Sequence, residues 1–263
     1  MPTRRQAAAA VVVAVLTAYA VGAAAAGQPG VAAPVPADRW SAYYPPADFA
    51  RLQATLAGHH RSDVSVGRGS DGVVRIRVAA FTRGVGRQVR EAVAVARREG
   101  ALGLLLDLRA DPGGLLEEAV ETASVFLDPG PVVSYQRHDE PPRRLDASGH
   151  GDTTLPLIVL VDGGTASAAE VVAAALQDRD RAVVVGSQTF GKGSVQAPTL
   201  LSDGSAVELT VGRYLTPNGR SLEGVGVQPD IEVRHGADPR LAEQRALEVL
   251  AGLVADAAAG GRG

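Results

Sequence analysis

At 263 residues with a formal net charge of −3, the chain has room for one fair-sized domain and a small appendage. It carries no charge excess suited to a polyanion, so no nucleic acid is implied as a partner. It has no cysteine, which excludes disulfides, thiolate metal sites and a cysteine nucleophile, and its 46% hydrophobic content with few aromatics suits an α/β core of Ala, Val and Leu.

Arg4 and Arg5 precede an apolar run over residues 7–26 that ends in Ala24-Ala25-Ala26, the pattern of a secretory signal peptide. The run is also near the ~20 residues that span a bilayer, so it equally suits an uncut N-terminal anchor with its arginines on the cytoplasmic side. Residues 1–26 are therefore expected to export the chain, leaving it extracytoplasmic, secreted or held at the outer face of the cell membrane. Residues 27–46 are rich in Pro, Ala and Gly and read as a spacer, with Trp40, Tyr43 and Tyr44 placed to pack on a domain edge. Helical spacing of Phe49, Leu52 and Leu56 predicts a helix over 48–57 with Asp48 as its cap. Residues 61–72 read as a loop. His59-His60 with Asp63 could hint at a metal, but adjacent helical histidines diverge and no third ligand is near, so they read as solvated surface and no metal is expected.

The segment 27–71 thus reads as a spacer plus a short helical piece, and 72–263 as the main domain. Within it a strand is predicted over 73–81, then an amphipathic helix over 86–99 and a continuously apolar, buried strand over 102–108. Asp111-Pro112-Gly113-Gly114 turns into a helix over 115–126. A strand over 132–135 precedes a charged, polar excursion over 137–154. A further strand over 155–161 runs into the turn bearing Ser167, followed by an alanine-rich helix over 168–176 and a strand over 182–185. Strands over 195–199, 206–214 and 231–233 and a terminal helix over 241–258 complete the chain. The β-α-β-α-β alternation argues for a parallel α/β sheet.

Two residues stand out chemically. A serine at a strand-to-helix turn has an exposed hydroxyl beside the unpaired N–H groups of a helical first turn, which suits a nucleophile and an oxyanion hole. Ser167 is so placed, although a serine there is also a common N-cap and Thr165 could cap as well. Lys192, flanked by Gly191 and Gly193, is the only lysine among 26 basic residues. Lysine can lose its proton when desolvated and arginine effectively cannot, so a lone lysine suits a general base where no histidine serves.

The run GTASAAEVVAAAL with TFGKGSVQ beyond it resembles the C-terminal processing peptidases, or tail-specific proteases. LLLDLRADPGG upstream resembles the same family's glycine turn, and SDGSAVELTVGRYLTPNGRSLEGVGVQPDIEV its closing region. The similarity covers roughly residues 72–233. It implies a crotonase/ClpP-like core with a mainly parallel sheet and flanking helices, and a serine endopeptidase with a Ser–Lys dyad acting on protein or peptide substrates through an acyl-enzyme. Under it Ser167 is the nucleophile and Lys192 the base. The oxyanion hole uses the N–H groups of Ala168 and Gly114, and Gln196 orients the lysine. Glu170 and Asp178 also match family positions and read as structural polar contacts, and no cofactor is needed. Family members usually carry a peptide-binding PDZ domain before the core; residues 27–71 are too few for one, so it is expected to be missing.

Three other readings of the residues compete with this one. A Ser–His–Asp hydrolase finds no Gly-x-Ser-x-Gly elbow, and His59, His60, His138, His150 and His235 all lie in polar stretches. Gly186 to Lys192 nearly matches a phosphate-binding loop, but Gly193 replaces the required Ser/Thr and no helix follows. A catalytically weak or inactive relative that only binds peptides is disfavoured by the intact Ser167, Lys192 and Gln196.

Overall fold

The computed structural model describes residues 42–57, 63–69, 71–137, 141–234 and 238–260. In chain order these form β1 (Ala42–Tyr44), α1 (Pro46–Ala57), β2 (Val64–Arg68), β3 (Val73–Val78), α2 (Val85–Arg98), β4 (Gly103–Asp107) and α3 (Leu116–Ser124). Then follow β5 (Gly130–Arg137), β6 (Arg143–Ala147), β7 (Leu157–Val161), α4 (Ala168–Asp178) and β8 (Val183–Gly186). The last elements are β9 (Ser194–Leu200), β10 (Ala206–Leu215), β11 (Ile231–Glu232) and α5 (Pro239–Gly260). The leader at 1–26, Trp40, the His59-His60 pair, His138 and His235 lie outside the described residues.

Six strands form one sheet in the order β11-β8-β7-β4-β3-β2. All its pairings are parallel except β2 with β3. Its central strands β4 and β7 are buried along their whole length, so they read as unbroken apolar runs. The period of two sorts their side chains to opposite faces. Leu104, Leu106, Val159 and Val161 point into the larger core with α2, α3 and α4, while Leu105, Ile158 and Leu160 meet Ala242, Ala246 and Leu250 of α5. This is the α/β arrangement with flanking helices expected from the sequence. Within α4, residues 168–176 are all buried, as a helix that is apolar on every side must be.

The second sheet has five strands and is antiparallel throughout: β1-β10-β5-β6, with β9 on the other side of β10. Three of the eleven strands fall where the sequence predicts none. β2 lies in the expected loop and β6 in the expected polar excursion. Both are short edge strands whose side chains are mostly exposed, with only two apolar residues each at alternate positions (Val64 and Val66, Leu145 and Ala147), so their hydrogen-bonded ladders do most to hold them. β1 lies in the expected spacer; its Tyr44 is buried with Phe49, Leu52 and Ala206 while Tyr43 is exposed.

Candidate active site

The two sheets are joined by the segment between β8 and β9, and the site forms at that junction. β4 and β7 lie side by side, so the turns that follow them are neighbours. The hydroxyl of Thr165 donates to the Leu108 carbonyl at 2.8 Å. Asp162 accepts the N–H groups of Gly164 and Ala110 at 2.8 and 2.9 Å. The Ala166 N–H donates to the Asp111 carbonyl at 2.9 Å. The Asp-Pro-Gly-Gly turn after β4 is thereby laced to the serine turn after β7.

Ser167 follows with φ 54° and ψ −116°, a left-handed conformation rare for a residue with a Cβ. Such a conformation costs on the order of 1–3 kcal/mol and persists where surrounding bonds over-determine it. Gly113 packs directly beneath: a Cβ there would lie 2.7 Å from the Ala166 carbonyl oxygen and 2.9 Å from the Ser167 Cβ. At Gly114 a Cβ would fall 2.3 Å from the Phe81 carbonyl oxygen. Phe81 and Gly114 form a parallel bridge that uses the Gly113 carbonyl and the Leu115 N–H, leaving the Gly114 N–H outside it. The first hydrogen bonds of α4 run from Ala169 to Ala166 and from Val171 to Ser167, so the Ala168 N–H is not among them. These are the two donors the sequence assigns to an oxyanion hole.

Lys192 is only 2% exposed and Ser167 8%. The residue that relates them is Glu170, one turn into α4 and fully buried. Its Oε2 accepts the Ser167 N–H and the Lys192 N–H, both at 2.8 Å. Its Oε1 accepts the Gly191 N–H at 2.8 Å and the Thr189 hydroxyl. One oxygen therefore holds the backbones on either side of the proposed dyad within two hydrogen-bond lengths. Burial pushes the Glu170 carboxyl up; the four donors oppose that and suit a carboxylate, which only accepts. Glycine at 193 is also required, since a Cβ would come 2.2 Å from the Glu223 N.

Gln196 lies on β9 opposite Thr210. Its Nε2 donates to the hydroxyls of Thr210 at 2.8 Å and Ser194 at 3.1 Å, and its Oε1 is buried without a hydrogen-bond partner. Asp178 sits at the far end of α4, where it binds Thr216, the Asn218 N–H and Arg220. Its role there is to anchor the segment after β10. Two buried acids carry roles that sequence reasoning missed. Asp111 is fully buried and accepts the Gly113 N–H at 2.8 Å; burial first, then Asp63, push it well above the ordinary carboxylate range. Glu208 on β10 is likewise fully buried, and the signal was present: it shares the inward parity of Ala206. A cleft of about 600 Å³ opens along the later part of β10, lined by Gln136, Thr210, Gly212, Arg213 and Leu215 among others.

His150, the one histidine among the described residues, is exposed and faces Asp128. Among the described residues no group of three or more His, Asp or Glu side chains could hold a metal ion. None of their helices is long and apolar enough to cross a membrane.

A family model described as peptidase family S41 matches residues 72–233. The chain is 48% identical over 134 residues to a carboxy-terminal-processing protease of Bartonella bacilliformis, covering 50% of this chain and 31% of that protein. It is 37% identical over 190 residues to a carboxyl-terminal-processing protease of Synechocystis, covering 68% and 44% respectively. The structure is similar to that of a photosystem II D1 C-terminal processing protease, with a TM-score of 0.62, 32% identity and coverage of 70% of this chain and 51% of that one. A lipoprotein from Streptococcus agalactiae shares the fold at a TM-score of 0.64 and 16% identity, covering 81% of this chain and 76% of that one. The chain thus spans less than half the length of the curated relatives named here.

Proposed function

The chain belongs to peptidase family S41, and from that membership we propose that it is an exported serine endopeptidase that cleaves unfolded or C-terminal-tail segments of proteins. Ser167 is the nucleophile and Lys192 the general base. The Ser167 Oγ attacks the scissile carbonyl carbon while its proton passes to the neutral Lys192 amine. The resulting oxyanion is met by the N–H groups of Gly114 and Ala168, donors of a kind worth about 10²–10³-fold each in rate. Collapse expels the amine product, which takes the proton from Lys192, and leaves an acyl-enzyme. Water then attacks, giving its proton to Lys192, and the acid product departs as Ser167 is reprotonated.

The observation that carries this reading is the single Glu170 oxygen shared by the Ser167 and Lys192 N–H groups, at the foot of a strained serine turn. Gln196 orients the lysine, substrates are held in extended form along a strand edge near Gly114, and apolar or small C-termini are favoured. The export leader at 1–26, cut or retained as a membrane anchor, places the enzyme outside the cytoplasm.

The test uses the residues after Ala26 and an unfolded protein with an apolar tail. Lys192→Arg keeps the charge and Ser167→Ala keeps the packing. Each is expected to lower turnover by at least about 10³-fold, or ~4 kcal/mol at ~1.4 kcal/mol per tenfold. The double variant should be little worse than either, because the pair acts as a unit. Near wild-type turnover in Lys192→Arg overturns the dyad.

A further inference from the structure

The second sheet leaves one stretch of β10 open. On one side of β10, β9 pairs along its whole length, from Ser194 to Leu200. On the other side β1 covers Ala206 to Glu208 and β5 covers Gly212 to Leu215. Leu209, Thr210 and Val211 therefore have no strand beside them on that side among the described residues. β1 is pinned at one end of the gap, where the Tyr44 hydroxyl donates to Glu208 at 3.1 Å. β5 stands at the other end, with Gln136 opposite Arg213. The cleft of about 600 Å³ lies over this gap, since Thr210, Val211, Gln136 and Arg213 all line it. Unpaired N–H and C=O groups at a strand edge are a template for another extended chain.

A shift in register turns Arg213 into the cleft. Thr210 lies opposite Gln196 and Arg213 opposite Ser194, with a bulge between Thr210 and Gly212. Ser194 and Gln196 are two residues apart and hydrogen-bonded to each other, so they share a face. The bulge thus sets Arg213 on the same face as Thr210, which an unbroken strand would not. Arg213 is exposed, is the one charged residue among those lining the cleft, and makes no hydrogen bond or ion pair among the described residues. Val211 and Leu215 add apolar lining. The cleft also adjoins the site. The Thr210 hydroxyl accepts the Gln196 amide at 2.8 Å. The Tyr214 N–H donates to the Gly193 carbonyl at 2.7 Å, which carries the ladder on and brings Leu215 beside the Lys192 backbone.

We propose that this cleft takes the free C-terminus of a substrate. The tail's last residues pair with the open stretch of β10, the α-carboxylate binds the Arg213 guanidinium, and an apolar last side chain packs on Val211 and Leu215. A guanidinium fork matches a carboxylate, and no acid lines the cleft to compete for it. A chain end suits the gap better than an internal segment, because β1 and β5 close it to three residues and a strand laid there cannot run on past both. Arg213 is then a specificity-determining residue, and the core reads a tail by itself. The tail's course from the cleft to Ser167 rests on the peptidase reading; the cleft's choice of a carboxylate does not.

The test uses two fluorescently labelled, unstructured peptides ending in valine, alike except that one carries a free α-carboxylate and the other a C-terminal amide. With Ser167→Ala, chosen to prevent turnover, fluorescence anisotropy is expected to show the acid bound at least about tenfold more tightly than the amide. Arg213→Gln in that background should lose the preference and bind both as weakly as the amide. An aspartate placed inside the amidated peptide should not restore binding, which separates a chain end from a side-chain carboxylate. Occupation of the cleft by residues 27–41 or by a second copy of the chain would exclude both peptides alike. Equal binding of acid and amide, a preference that survives Arg213→Gln, or rescue by the internal aspartate overturns the proposal. In the chain with Ser167 intact the same preference should appear in KM. If that chain hydrolyses neither peptide while the acid is still preferred in binding, the peptidase reading fails and the cleft assignment stands.

Discussion

Glu170 turns a constellation of residues into a fixed geometry. All four of its partners are donors, so an amide in its place would turn an NH2 toward one pair of them. Glu170→Gln is therefore expected to cost at least about 1–3 kcal/mol of stability, with a larger loss of turnover because the serine turn loses its restraint. A urea melt and a peptide hydrolysis assay check both, and wild-type turnover in this variant would show that the carboxylate does not set the dyad. At this scale the proposed pair could be picked from the sequence, since Ser167 and Lys192 sit in glycine-marked runs of recognisable type. The residues behind them were less so. Glu170 binds backbone N–H groups from two segments more than twenty residues apart, and no side-chain pattern encodes a backbone partner. Glu208 and Tyr44 meet only through strand register, which a linear reading cannot supply.

Among the elements, the parallel sheet and its helices were readable because β4, β7 and α4 are buried on every side and advertise it in unbroken apolar runs. β2 and β6 were not, because an exposed edge strand held by a ladder has no need of apolar alternation. α5 shows how tightly the readable elements pack. A Cβ on Gly103 would lie 2.9 Å from Leu250 Cδ1, so the helix rests almost on the β4 backbone. Leu250 is fully buried among Leu105, Ile158, Leu160 and Val185. Leu250→Ala should cost about 2–5 kcal/mol, seen as a lower denaturation midpoint, with turnover per folded molecule little changed because α5 lies on the sheet face away from α4. A loss below about 1 kcal/mol would mean that α5 contributes little to the second core.

For the whole molecule, the decisive feature is that the proposed nucleophile, Ser167, follows the parallel sheet and the proposed base, Lys192, lies on the approach to the antiparallel one. The larger core runs through both sheets, since Val132, Val133, Ala147, Val195 and Tyr214 of the antiparallel sheet pack in one cluster with Ile76, Leu104, Leu106 and Val159 of the parallel one, so the two are expected to unfold as one cooperative unit. In a urea titration, hydrolysis and the far-ultraviolet circular dichroism signal should fail together; loss of hydrolysis at a lower concentration would show that the sheets part before either loses its strands. The shared Glu170 oxygen bears on this in the language of measurement. Ser167 and Lys192 are referred to one common datum, so vibrations that carry that carboxylate displace both alike and cancel in their separation. What remains is differential motion at the seam, and the dyad is in effect a gauge that reads the alignment of the two halves and is indifferent to the shaking of either.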